Sequence, residues 1–180
     1  MKKCITLFLI IFCLTVFILP SSADNKITDY EGNDILQRVL KDTSIDADFI
    51  YPLKDGFNGG ELYGYKLALY ELDKHTFFGI YAKNFKAKPA AVQIYRDDYG
   101  QHIFTGNEVF TKAKMAVLRM LYPELKAVAI AAELPFKINK ITQKGNTYIY
   151  YNVVDYMESY SFWSEEFYQT YLRESQKTYR

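Results

Sequence analysis

The sequence predicts an α+β fold: an antiparallel sheet, made of a meander plus a C-terminal hairpin, with three or four helices packed mainly on one face. Two observations predict this class. Alternating apolar segments between residues 62 and 104 are separated by short turn signals, and such turns join antiparallel neighbours. Apolar residues at helical spacing occupy segments of their own, so locally paired strands and separate helices are expected.

Residues 1–23 have the three-part pattern of a cleaved secretory signal. Two lysines precede an apolar run over residues 5–19, and small residues end the segment at Ala23. The run is shorter than the roughly 20 residues that span a bilayer, which favours cleavage after Ala23 over a retained membrane anchor. We therefore expect residues 24–180 to form one exported domain, periplasmic or extracellular, with no stable membrane span after cleavage. The short basic start is typical of a bacterial protein.

Cleavage would change the chemistry that the domain has available. Both cysteines, Cys4 and Cys13, lie within the signal, so residues 24–180 have no thiol for catalysis, disulfides or metal binding. A domain of this size can bury a core without disulfides. The whole chain has 22 Lys and Arg against 21 Asp and Glu. This balance argues against a strongly basic nucleic-acid binder, and no nucleic-acid partner is expected.

The first element after the signal is a predicted short helix. Asn33 or Asp34 can cap it, and its apolar side chains share one face: Ile35, Leu36, Val39 and Leu40. The glycine-rich residues 55–60 predict a loop. Four strands follow, with turns at residues 73–76 and 97–100; the strands are predicted at residues 62–72, 77–83, 91–95 and 101–104. In the first strand one face carries Tyr63, Tyr65, Leu67 and Leu69.

The strongest helix signal begins near Asn107. Thr105 and Glu108 have the spacing of a capping box, and residues 109–121 carry an apolar stripe at helical spacing. Three basic residues lie off this stripe: Lys112, Lys114 and Arg119. The alanine-rich residues 125–134 leave a buried helix and a buried strand open, because a short apolar run fits both.

The C-terminal part is predicted to contain a hairpin and a last helix. The hairpin strands are residues 136–142 and 147–155. The helix is predicted over residues 162–176, with Ser161 or Ser164 as its N-terminal cap.

Signals for catalysis are sparse. The only histidines are His75 and His102, without the paired spacing of a zinc site. The Asp-rich residues 42–48 start a segment that lacks the Gly and Glu of a calcium-binding loop, so neither a metal nor a cofactor is expected. No serine lies in a nucleophile elbow. The enzymatic alternative is a small exported hydrolase that uses His102 with Asp97 or Asp98, or a pair of carboxylates.

Tyrosine is the unusual feature, with 17 copies beside 13 Phe and one Trp. Its rigid ring and polar hydroxyl suit protein interfaces and sugar stacking. Strand alternation places Tyr148 and Tyr150 on one face and Tyr151 on the other. The competing interpretation is that these rings are ordinary strand formers and core fillers. We predict a non-catalytic binding domain that contacts an envelope protein or a glycan through an aromatic surface: Tyr148, Tyr150, Tyr156, Tyr160, Trp163 and Tyr168.

Overall fold

The computed structural model describes residues 24–45, 60–84, 86–97, 108–155 and 157–178. Within these ranges the chain forms four helices, seven strands and two short 3-10 turns, at Ile27–Asp29 and Leu134–Phe136. The helices are α1 (Gly32–Thr43), α2 (Glu108–Leu121), α3 (Glu124–Glu133) and α4 (Glu165–Thr178). The strands are β1 (Glu61–Leu62), β2 (Tyr65–Asp73), β3 (Thr76–Ala82), β4 (Ala91–Asp97), β5 (Lys140–Lys144), β6 (Thr147–Val154) and β7 (Met157–Trp163).

The seven strands form one antiparallel sheet in the order β1-β2-β3-β4-β7-β6-β5. Strands β2, β3 and β4 correspond to the first three strands of the predicted meander, and the short strand β1 precedes them. The last three are a second meander, which joins the first through β4 and β7. The α+β fold predicted from the sequence is confirmed.

Helices cover the two faces of the sheet unequally. The three-helix face packs against α1, α2 and α3, and its core contains mainly aliphatic side chains with a few rings, among them Val39, Phe78, Ile94, Leu118 and Phe162. The α4 face packs against α4 and is built largely from rings: Tyr65, Tyr81, Tyr148, Trp163 and Phe167. Consecutive residues such as Phe162 and Trp163 serve opposite faces because side chains alternate along a strand. The helices therefore lie mainly on one face, as predicted.

Strand β7 is the main element that the sequence analysis missed. Met157–Trp163 pairs with both β4 and β6, whereas the last helix was predicted to begin at residue 162. That helix begins at Glu165, and Ser164 is its cap, since its Oγ accepts a hydrogen bond from the Phe167 N–H at 3.2 Å. Ser161 lies in the strand instead. Tertiary pairing on both edges overrode the local helix signal.

Two other segments refine the predicted boundaries. The strand predicted over residues 62–72 is interrupted by a turn at Tyr63 and Gly64, both with positive φ, so β1 and β2 form a tight hairpin. Tyr63, Tyr65 and Leu67 of the predicted strand face still share the α4 face. The alanine-rich residues 125–134 are helical, as α3 and the turn that follows.

Several predictions concern residues outside the described ranges. These are the signal at residues 1–23, most of the loop at residues 55–60, the strand at residues 101–104 and the cap at Thr105. None of the helices in the described ranges is both long and apolar enough to cross a membrane.

Candidate binding site

An open cavity of about 470 Å³ lies on the three-helix face, beside α2 and the turn Leu134–Phe136. Its volume is in the usual range of small-molecule sites, which combine apolar walls with a few converging polar groups. Five of its ten described lining residues are charged residues or tyrosines in contact with one another: Arg96, Lys114, Glu158, Tyr151 and Tyr160. The others are Phe110, Thr111, Pro135, Ile138 and Val153.

Strand alternation brings the polar groups to one end of the sheet. In β4 the inward side chains are Val92, Ile94 and then Arg96. In β7 Glu158 precedes the inward residues Tyr160 and Phe162. Arg96 lies directly opposite Glu158 in the β4–β7 register. The row of inward apolar side chains on each of the two strands therefore ends at a charged residue. The two charged residues lie side by side and form an ion pair.

Both oxygens of the Glu158 carboxylate accept a hydrogen bond from a neighbouring side chain. Arg96 Nε donates a hydrogen bond to Glu158 Oε2 at 2.7 Å, and the two side chains are only 5% and 11% exposed. The Tyr151 hydroxyl donates to Glu158 Oε1 at 2.9 Å. Burying such a pair costs desolvation energy, and apolar replacements of similar volume are often as stable. Stability alone therefore does not account for this pair.

The two tyrosines in the cavity stack on each other and remain protonated at neutral pH. The Tyr151 and Tyr160 ring centroids are 4.4 Å apart, with 12° between the ring planes. Burial, reinforced by the negative charge of Glu158, raises the pKa of Tyr151 to about 12. Burial also raises the pKa of Tyr160, and the neighbouring Tyr151 and Glu158 act in the same direction. Both hydroxyls can therefore donate hydrogen bonds.

Lys114 brings a second cation to the cavity. Its Nζ lies 4.7 Å from the centroid of the Tyr160 ring, a cation–π contact that compensates part of its desolvation. Among the described residues no carboxylate forms an ion pair with it. Burial lowers the pKa of Lys114, Glu158 opposes this shift, and Arg96 reinforces it. Of the charged residues described around the cavity, two are cations and one is an anion, which leaves an excess of one positive charge.

The six aromatic residues predicted to bind do not form one surface. Tyr160 lines the cavity, whereas Trp163 and Tyr148 are buried on the α4 face, on the other side of the sheet. Tyr156 lies outside the described residues. Tyr148 stacks on Tyr168 at 4.0 Å, and Tyr150 contacts Trp163 at 5.6 Å. Through these contacts Tyr148, Tyr150, Trp163 and Tyr168 pack together beneath α4. A binding role for these four residues stays a prediction.

The predicted hydrolase residues are only partly described. Asp97 ends β4, where its backbone N–H donates to the His75 carbonyl at 3.0 Å, and His75 Nδ1 lies 3.0 Å from the Asp97 carbonyl oxygen. His102 and Asp98 lie outside the described residues, so their pairing stays a prediction. In the part of the chain that the structure describes, no group of three or more His, Cys, Asp and Glu residues could hold a metal ion.

Sequence reasoning missed most of the cavity. Arg96 could have been found as a charge at an inward position of an alternating strand, after Val92 and Ile94. Lys114 was placed off the apolar stripe of the long helix, but it lies one turn after the buried Phe110 and shares its contact with Tyr160. Glu158 could not be ranked above the other carboxylates of the chain, because β7 was not predicted.

Comparison with protein-family models, with curated proteins and with solved structures gave no significant match to this chain. The geometry of the cavity is therefore the basis of the functional interpretation.

Proposed function

We propose that this chain is an exported, non-catalytic binding domain that takes a small molecule in the cavity on the three-helix face. The observation that carries the proposal is Lys114, a cation without a described carboxylate partner beside an open cavity of about 470 Å³. A partly buried ammonium whose desolvation is only partly compensated, by the Tyr160 ring and by Glu158, is costly for a protein that gains nothing from it. A ligand that fills the cavity would offset that cost.

The fixed polar groups favour binding over catalysis. Both oxygens of Glu158 already accept hydrogen bonds, from Arg96 and from Tyr151. A general base needs an oxygen within reach of the proton that it removes, and the two bonds hold this carboxylate in place and occupy part of its acceptor capacity. The raised pKa values of Tyr151 and Tyr160 keep their hydroxyls neutral, and the Tyr151 proton is already donated to Glu158, which disfavours acid–base chemistry by these groups.

The proposed export rests on the pattern of residues 1–23. The first residues of the expected mature chain contact the domain: Asp24 Oδ2 accepts a bond from Lys126 Nζ at 2.5 Å, and the Asn25 N–H donates to the Leu121 carbonyl at 2.9 Å. N-terminal sequencing of the protein from the periplasm or the culture medium is expected to begin at Asp24. Recovery of a chain that still starts at Met1, in the membrane fraction alone, contradicts cleavage.

The binding function is tested with a neutral apolar fluorescent probe, N-phenyl-1-naphthylamine, titrated into the purified protein. Saturable fluorescence enhancement is expected. Val153→Trp should abolish it by filling the cavity, whereas Val154→Trp should not. Val154 follows it directly and is 48% exposed, on the other face of the strand, which makes it a matched control.

A second filling variant, Thr111→Trp on α2, covers the case in which Val153→Trp fails to fold. Circular dichroism reports folding for all three variants. Absence of probe binding, or equal binding by the filled and control variants, contradicts a ligand site in this cavity.

A second candidate function is contact with an envelope protein through α3. Leu125 is 88% exposed, Val128 50% and Phe136 84%, and large exposed apolar groups at helical spacing are typical of interaction sites. A photo-crosslinking residue at Ala129 is expected to form one discrete product in the cell envelope, and Leu125→Asp with Phe136→Asp should remove it. A product that persists in this double variant contradicts an interface at α3.

A further inference from the structure

The charges and the walls of the cavity together define a ligand class. We propose that the cavity binds an organic monoanion with an apolar body, such as a medium-chain monocarboxylate, and that Lys114 Nζ contacts its anionic head. This inference rests on the proposed binding function and narrows it to one class of ligand.

The charge of the head follows from the pairing inside the cavity. Arg96 Nε and Glu158 Oε2 are 2.7 Å apart, so the two charges neutralise each other. The Tyr151 hydroxyl donates to the second oxygen of this carboxylate. Lys114 is then the remaining charge among the described lining residues. One negative charge on the ligand would neutralise it. A second one would leave a partly buried anion without a partner, and a cationic ligand would add to the repulsion.

The position of the head follows from α2. Lys114 is held over the Tyr160 ring at 4.7 Å, so its ammonium has a defined place at the wall of the cavity. Thr111 lies on the same side of α2, three residues earlier, and also lines the cavity. Its hydroxyl can donate to a second oxygen of a carboxylate. Charge-assisted hydrogen bonds of this kind are stronger than neutral ones.

The apolar body follows from the remaining walls. Phe110, Pro135, Ile138 and Val153 line the cavity without offering a side-chain polar atom. Ile138 is 47% exposed at its rim, and an apolar chain or ring would cover it. A highly polar ligand such as a sugar would leave its hydroxyls unpaired against these walls, which is unfavourable.

The test uses three probes with the same ten-carbon chain: decanoate, decanol and decylamine. Each one displaces N-phenyl-1-naphthylamine from the purified protein, and the competition gives its dissociation constant. Decanoate is expected to bind at least about tenfold more tightly than decanol, and decylamine more weakly than both. Raising the salt concentration should reduce the preference for decanoate, because it is electrostatic.

Variants of two lysines on α2 assign the head group. Lys114→Met should remove the preference for decanoate while decanol binds as before, and Lys114→Arg should keep it. Lys112→Met is the control, since Lys112 forms an ion pair with Glu108 at 2.6 Å and is 41% exposed. Thermal unfolding shows that each variant folds, and Lys114→Met should not lower the midpoint because it removes a partly buried charge.

The outcomes separate this inference from the function on which it rests. If the neutral probe binds but decanoate and decanol compete equally, the monoanion inference is wrong while the cavity still binds ligands. The same conclusion follows if Lys114→Met keeps the preference for decanoate. If the neutral probe itself does not bind, the binding function fails as well.

Discussion

The two faces of the sheet are built from the same strands but are packed by different chemistry. Beneath α4, rings interlock: Phe167 lies 5.1 Å from Tyr65, 5.7 Å from Tyr81 and 5.6 Å from Trp163 between ring centroids. Beneath α1, α2 and α3, the core ends on the buried pair of Arg96 and Glu158 and on an open cavity. The α4 face is filled by packed rings, whereas the three-helix face has buried charges beside an open cavity, and the proposed binding function rests on that difference.

The largest expected effect on stability comes from removing a buried ring from the α4 face. Phe167→Ala should lower the free energy of unfolding by about 3–5 kcal/mol, because it removes a fully buried ring from the centre of the cluster. Urea denaturation measures this value. Gln169→Ala, at an exposed position of the same helix, should change stability by less than about 0.5 kcal/mol. A loss below about 1 kcal/mol for Phe167→Ala would mean that α4 contributes little to the fold.

On the three-helix face, removing one charge of the buried pair is expected to lower stability. Glu158→Leu should cost about 3 kcal/mol, since it leaves the Arg96 guanidinium, 5% exposed, without its carboxylate. Adding Arg96→Met should recover part of that loss because no buried charge remains. Urea denaturation of the single and double variants tests this. A double variant less stable than Glu158→Leu alone would show that the pair is needed for the fold itself.

Alkaline pH is expected to destabilise the three-helix face through its buried tyrosines. Burial raises the pKa values of both Tyr122 and Tyr151 to about 12. A folded-state pKa above the unfolded value of about 10 favours the neutral form. Their contribution to stability is therefore complete below pH 10 and is lost as pH rises towards 12. At pH 11 each of the two tyrosines is expected to have lost about 1 kcal/mol of that contribution.

Absorbance of tyrosinate followed against pH, with circular dichroism in parallel, measures this effect. A subset of tyrosines is expected to ionise only as the fold is lost. Tyr151→Phe should make stability fall less steeply between pH 10 and 12 than in the unsubstituted protein. A smooth titration of all tyrosines near pH 10 with the fold intact is the contrary outcome.

The smallest expected effect concerns the start of α4. Ser164→Ala should cost about 1 kcal/mol, because the Ser164 hydroxyl caps the helix through the Phe167 N–H. Ser175→Ala is the matched control, since the Ser175 hydroxyl only donates to the Leu172 carbonyl within the same helix, and it should cost less than about 0.5 kcal/mol. Thermal unfolding distinguishes the two. Equal effects would show that Ser164 is not the functional cap.

The elements with strong local signals were predicted well. The turn between β2 and β3 is an example, because Asp73 Oδ1 accepts hydrogen bonds from the N–H groups of His75 and Thr76, and Asp is a typical turn residue. The apolar stripe of α2 is another, with Phe110, Ala113 and Val117 buried. Such signals depend on residues close in sequence, so a single chain segment contains all of the information.

The candidate site was hardly predicted, and the reason is sequence separation. Arg96 and Glu158 pair across 62 positions, and Lys114 joins them from a helix that lies between the two strands in the chain. Of the predicted binding residues that the structure describes, only Tyr160 lines the cavity. The predicted binding residues were chosen because tyrosines cluster along this part of the chain. Most of those that the structure describes pack against α4.

The sequence by itself determined the α+β class, the α1 and α2 helices, the first meander and the tyrosine-rich composition, because hydrophobic period, turn chemistry and composition are local properties. Only the tertiary structure decided that β7 lies at the centre of the sheet, that four of the five described aromatic residues predicted to bind pack on the α4 face, and that Arg96, Glu158 and Lys114 meet at one cavity. The physical reason is that strand pairing and the burial of charge depend on contacts between distant segments, whose free energy no single segment contains.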